Sequence, residues 1–186
     1  INRSISGAGQ LLTLQLLKKI SPKMSIKSIL SGEKVFDWTV PLEWNVKDAW
    51  VKNKKGKKII DFKKNNLHLV GYSEPINIKI KLKDLNSHLF SLKQQPKAIP
   101  YVTSYYKKFW GFCITHNERK KLKNEVYHIK IDSSLKRGKI NYGEIIYKGK
   151  SSKEIFFSTY VCHPSMANNE LSGPCISIFL TEWLSK

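Results

Sequence analysis

The residues with the most chemistry to offer lie late in the chain, in Cys162-His163-Pro164-Ser165-Met166-Ala167-Asn168-Asn169-Glu170, followed by Leu171-Ser172-Gly173-Pro174. His163 brings a ring that can ligate a metal or carry a proton near neutral pH. Residues Ser165 to Glu170 bring polar side chains round on the turn that follows. A zinc ion takes neutral imidazole and carboxylate ligands held rigidly, with one position left open. One His at a strand end and one oxygen donor on the next turn would make half of such a site. The bland alternative is a hydrogen-bonded structural His and a Glu whose charge suits the first turn of a helix. Strand alternation turns Cys162 away from His163 and makes it a small buried filler. A Cys-His nucleophile pair would need both side chains on one side. His68, His88, His116 and His128 fall on separate elements without ligand spacing and read as structural or surface residues.

The elements that must position this corner follow from periodicity. Lys153–Val161 has a continuous apolar run, which predicts a strand covered on both faces, as in the middle of an α/β sheet. Gly173-Pro174 sets the next helix, expected over 171–184. Upstream, Gly9–Ile20 has helical spacing and ends in two lysines, with Ser21-Pro22 as its stop. Short extended pieces follow at 25–30 and 34–40, then a corner at 45–48 and another strand. The Lys-rich stretch around Gly56 reads as a solvated hairpin tip. Residues 67–73 and 76–82 alternate as strands, 83–92 has helical spacing, and 109–114 reads as a strand. Thr115 with Glu118 is a capping-box signature. Residues 125–135 and 138–149 read as two strands joined through Lys136-Arg137-Gly138. The pattern is α/β, with a mostly β insert over 35–123 and the main domain formed by 1–34 and 124–186.

Composition narrows the classes. Hydrophobic residues make up 41% of the 186, which supports a packed core and excludes disorder. No apolar run approaches the roughly 20 residues needed to cross a bilayer, so no membrane partner is expected. Three cysteines without CxxC spacing favour free thiols and a cytoplasmic setting. The net charge of +19 invites a nucleic-acid reading, yet only Arg3, Arg119 and Arg137 among the 33 basic residues are arginine. Specific phosphate and base recognition prefers the planar guanidinium. Lys, Asn and Ile enrichment from A-rich codons on a solvated surface is the favoured account, and nucleic acid is not an expected partner. The chain does not begin with Met and stops directly after a helix, which reads as part of something longer.

The segment from Cys162 to Pro174 resembles the metal-binding segment of the zinc-dependent exopeptidase superfamily. In that superfamily a His-x-Asp strand end is followed by an Ala-Asn-Asp-x-x-Ser-Gly turn. Residues 35–50, 67–75, 95–106, 109–113 and 158–174 together resemble a bacterial family of aminopeptidase-like proteins associated with polysaccharide biosynthesis. The resemblance implies a partial zinc-exopeptidase-like mixed sheet flanked by helices. It implies an N-terminal portion of a zinc-dependent aminopeptidase or amide hydrolase, acting on a peptide or a small amide-containing substrate. It makes His163 the first zinc ligand, puts Asn169 where the superfamily has its metal-bridging Asp, and puts Ser165 where it has a carboxylate that orients the ligand His. Both departures remove a carboxylate, and a neutral Asn bridges two cations poorly. One zinc ion rather than two is therefore expected, with Glu170 favoured over Asn169 as the oxygen ligand. The general base, the later acidic ligand and the last His have no counterpart up to Lys186, so no catalytic residue is expected within this chain and it should be inactive alone. Tyr105 and Trp110, in an aromatic-rich stretch, are candidates for a substrate pocket, although core packing is the commoner role. A homo-oligomer stays open. The other reading of the lost carboxylates is a non-catalytic, aminopeptidase-like binding scaffold.

Overall fold

The computed structural model describes residues 1–185, which divide into two compact units: residues 44–136, and a discontinuous unit made of 1–43 with the described residues from 137 onward. The sequence placed these boundaries at 34/35 and 123/124. Each unit is a mixture of helices and small sheets, so the chain is α/β in the broad sense.

The discontinuous unit begins with α1 (Ala8–Ile20), whose buried positions Gln10, Thr13, Leu14 and Leu17 fall at helical spacing. Two of those four are polar, and Leu12 and Leu16 face outward instead. The reason is a hydrogen-bond clasp. Gln10 Nε2 donates to the carbonyls of Ile5 and Asn141, both at 2.9 Å, and Gln10 Oε1 accepts from Asn141 N at 3.2 Å. A buried amide whose groups are satisfied in this way costs little to bury. Asn141 belongs to β10 (Lys139–Glu144), which pairs antiparallel with β1 (Ser25–Leu30) in register Ser25 with Glu144 through Leu30 with Lys139. A small hairpin, β2 (Lys34–Val35) and β3 (Trp38–Thr39), follows β1. Leu14, Leu17, Met24 and Ile178 form the core, with Ile26, Ile145, Val161 and Cys175 packed against it.

In the continuous unit a four-stranded sheet runs in the order β5 (Lys58–Asp61), β4 (Glu43–Lys52), β9 (Val126–Lys136), β6 (Ile76–Lys81). The expected corner at 45–48 is absent, because β4 runs straight through it. The first half of β9 alternates, burying Tyr127, Ile129 and Ile131. The β4–β5 hairpin tip closes on Asn53, whose Oδ1 accepts from Lys55 N and Lys57 N, with Gly56 at φ +78° completing the turn. Residues 67–73 are not a strand. Asn65 Oδ1 caps a single 3-10 turn over Asn66–His68, and the chain then makes only isolated bridges at Leu69 and Gly71. Tyr72 sits at φ +65°, a left-handed conformation that no continuous ladder tolerates. The expected helix at 83–92 shortens to α2 (Leu82–Leu85) and one 3-10 turn before β7 (Leu89–Phe90), which pairs with β8 (Phe112–Cys113). Thr115 caps α3 (His116–Arg119) as the signature implies: Glu118 N donates to Thr115 Oγ1 at 3.2 Å, while the Thr115 hydroxyl donates to Glu118 Oε2 at 2.6 Å.

Two expectations near the chain's end are corrected. Residues 153–161 join no ladder and are largely exposed, with Ile155 at 79% and Phe156 at 86%. An apolar run becomes a strand only where a neighbouring edge can take its N–H and C=O groups, and no edge among the described residues reaches it. The last helix, α4 (Asn168–Leu184), also starts earlier than expected and passes through Gly173 and Pro174. Pro174 has no N–H, so the Glu170 carbonyl receives no helical donor. β9 and β10, adjacent in sequence, lie in different sheets and different units, so they do not form a hairpin with each other. No described helix is long and apolar enough to cross a membrane.

Candidate metal centre

Cys162, His163 and Glu170 come together at the start of α4, with one ligating atom from each lying within 4.8 Å of the others. Glu170, the third residue of α4, is wholly buried. Its Oε2 accepts a short hydrogen bond from Cys162 N, and its Oε1 makes no hydrogen bond but lies 3.5 Å from His163 Nε2. A charged oxygen with no donor inside a protein is costly. The geometry thus leaves one carboxylate oxygen facing an imidazole nitrogen with nothing bonded to it. Cys162 Sγ lies 3.7 Å from His163 Nδ1 and 4.0 Å from Nε2. Burial pushes the Cys162 thiol up to about 11, the Glu170 charge adds to that, and the nearby Arg3 guanidinium opposes it.

Two close approaches build the corner. On α4, a Cβ at Gly173 would meet Thr159 Oγ1 at 2.2 Å and Thr159 Cβ at 3.2 Å, so the bare glycine lets the helix lie against Thr159 without displacing its side chain. Glu170 shares that side of the helix, three residues earlier, and reaches the Cys162 backbone. On the other side, the N-terminal residues staple the loop. Arg3 is 4% exposed, and it donates from Nε to the His163 carbonyl at 3.0 Å and from Nη2 to the Met166 carbonyl at 2.7 Å. Ser165 N donates to the Ile1 carbonyl, and Ser165 itself is held at φ +52°. Left-handed residues other than glycine persist where surrounding contacts fix them. Here the contacts at 163, 165 and 166 do so.

Ser165 and Asn169 are both exposed, Ser165 at the apex of the loop and Asn169 in the first turn of α4. Tyr105 and Trp110 lie in the other unit, each within its own aromatic cluster. Tyr105 meets Tyr72 edge-on at 5.0 Å, with its hydroxyl 3.1 Å from that of Tyr101. Trp110 stacks on His88 at 3.7 Å. His68 and His88 bond the carbonyls of Cys113 and Trp110, His116 meets Ser91 Oγ, and His128 meets Asn77 Oδ1.

The sequence placed Cys162 on the opposite side from His163. That expectation fails because it assumed strand alternation, and the backbone at 161–163 is not in a strand. Arg3 went unnoticed, although a signal was there. In a chain whose cations are almost all lysine, an arginine marks a place where a planar fork is needed. Arg119 shows the same use, donating to the carbonyls of Leu89 and Asn86.

Residues 43–134 match a family described as a domain of unknown function, DUF2172. The whole chain is 47% identical to a protein of Clostridium acetobutylicum, provisionally named a polysaccharide biosynthesis protein with an aminopeptidase-like domain, and spans 43% of its length. A crystal structure of a protein from the same species, provisionally described as a peptidase, matches over all of this chain and 44% of its own. Its TM-score is 0.94 at 46% identity. The chain therefore spans less than half the length of the relatives it matches. The resemblance read from scattered segments extends over all 186 residues: the chain is homologous along its whole length to an aminopeptidase-like protein associated by name with polysaccharide biosynthesis.

Proposed function

We propose that this chain is the N-terminal part of a zinc-dependent aminopeptidase or amide hydrolase serving polysaccharide biosynthesis, and that it contributes the first ligands of a mononuclear metal site. The observation that carries the reading is the buried Glu170 with its bare Oε1 facing His163 Nε2 at 3.5 Å. A divalent cation is the group whose charge and bonding such an oxygen lacks, and imidazole with carboxylate suits zinc. His163 and Glu170 would hold the ion. When bound, it would supply Lewis-acid polarisation of a substrate carbonyl.

The residues of the chain do the holding. Arg3 and Ile1 fix the loop that carries His163, and the glycine contact at 173 sets α4 so that Glu170 reaches inward. With Ser165 and Asn169 both exposed and neutral, the reading favours one ion over two. Metal analysis of the full-length protein tests it. About one zinc per chain is expected, with loss of zinc in His163→Ala and Glu170→Gln. Equal zinc content in the wild type and both variants would overturn it.

A second reading keeps the fold and drops the chemistry: an aminopeptidase-like scaffold that binds a peptide or sugar without cleaving it. The loss of carboxylates at 165 and 169 favours it. Amide hydrolysis by the full-length protein on a peptide library, abolished by chelation, would exclude it.

A further inference from the structure

We infer that Cys162 is a third protein ligand of the metal site, giving a Cys-His-Glu set drawn from a stretch of nine consecutive residues. The inference rests on the metal-binding reading above and specifies its coordination.

Two of the three separations are close to what one ion needs, and all three ligating atoms lie within 4.8 Å of one another. Bonds of about 2.3 Å to sulfur and about 2.0 Å to nitrogen or oxygen, at tetrahedral angles, place sulfur and nitrogen about 3.5 Å apart and nitrogen and oxygen about 3.3 Å apart. Sγ lies 4.0 Å from His163 Nε2, and Glu170 Oε1 lies 3.5 Å from that nitrogen, so small side-chain rotations close the set. Adjacent residues can both ligate only where the backbone leaves the extended alternation. It does so here, ahead of Pro164 and the left-handed Ser165.

Charge points the same way. The cluster holds a buried carboxylate with one oxygen lacking a hydrogen bond, and Arg3 directs its fork at the His163 and Met166 carbonyls rather than at that oxygen. A dication bound by one thiolate, one carboxylate and one neutral imidazole is electrically balanced. The thiol proton leaves to solvent as the sulfur–metal bond forms. Three protein ligands with one position open is the usual complement of a catalytic zinc site.

Cobalt substitution of the full-length protein tests the ligand directly. The cobalt form should show strong near-ultraviolet thiolate-to-cobalt charge transfer. That absorption should persist in Cys175→Ser and vanish in Cys162→Ser, and the latter should bind zinc at least about 100-fold more weakly, a ligand being worth no less than its outer partners. If Cys162→Ser fails to fold, a wild-type cobalt form that lacks this absorption still overturns the inference. Tight cobalt binding without charge transfer would overturn the inference and leave the metal reading standing. Failure of the wild type to bind cobalt or zinc would remove both.

Discussion

Replacing Gly9 with alanine tests how far the metal corner depends on the packing of α1. In an ordinary helix the change stabilises by about 1 kcal/mol, because glycine is the poorer helix former. Here the new Cβ would lie 1.9 Å from the Asn2 carbonyl oxygen and 2.7 Å from its carbon. Backbone atoms cannot swing aside as a side-chain end can. The oxygen must retreat to at least 3.0 Å, a shift of about 1.1 Å in the residue next to Arg3. Hydrogen bonds weaken steeply over such distances, and Arg3 makes two, at 3.0 and 2.7 Å, to the loop that carries His163. Bonds of this charged kind contribute about 1.5–3 kcal/mol each. Losing most of that, less the helix gain, predicts a net destabilisation of about 2–4 kcal/mol, together with weaker zinc binding. Urea unfolding of Gly9→Ala, Arg3→Ala and the double variant measures it. If the glycine acts through Arg3, the double variant should cost no more than the costlier single one. A Gly9→Ala protein as stable as the wild type, or more so, would refute the reasoning.

Three further outcomes are expected. Tyr127 is buried and its hydroxyl donates to the Lys123 carbonyl at 2.8 Å, so Tyr127→Phe should lower stability by about 1 kcal/mol in urea unfolding. Burial pushes the Asp61 carboxyl up, but hydrogen bonds from Lys58 and Lys63 N and the nearby lysine charges outweigh it and hold it below its ordinary 3.8. A carboxyl depressed by folding stabilises above its unfolded value and loses that contribution as pH falls through the folded one. The stability gap between the wild type and Asp61→Asn should therefore be full at pH 7 and shrink below about pH 4. Phe156, 86% exposed on the unpaired segment, can be changed to lysine with stability altered by less than about 0.5 kcal/mol. Sedimentation of the 186-residue chain should then show less self-association, since unpaired apolar edges promote it.

Local signals were the readable ones. Thr115 with Glu118 gave a capped turn, Asn53 and Gly56 a hairpin tip, and the alternation of 126–131 a half-buried strand, because each is decided by atoms a few residues apart. What failed depended on distant partners. The apolar run at 153–161 has strand composition but no edge to pair with among the described residues, and composition cannot report that. Residues 67–73 alternate well, yet Tyr72 adopts a left-handed conformation within a unit where Trp44 and Ser133 both donate to the Ser73 carbonyl. At the site, His163 stood out by its type and its place after an apolar run, and Glu170 was named only through the family resemblance. The side on which Cys162 lies, and the bracing by Arg3, were not. Both are set by contacts spanning the chain, such as the one between Arg3 and His163 across 160 positions.

The discontinuity of the first unit has a consequence for biosynthesis. Gln10 must wait for Asn141, 131 positions later, and Leu14 and Leu17 must wait for Ile178. At ribosomal speeds of about 5–20 residues per second, α1 spends many seconds as an amphipathic helix with only Met24 and Ile26 of its final core to lie against. Residues 44–136 can meanwhile complete their own sheet, leaving the two flanking arms to meet last. A ribosome stalled once residue 136 has cleared its exit tunnel should therefore carry one finished body and a tethered, chaperone-seeking helix, and arrest-release kinetics should register the corner at Cys162 as becoming protected after that body.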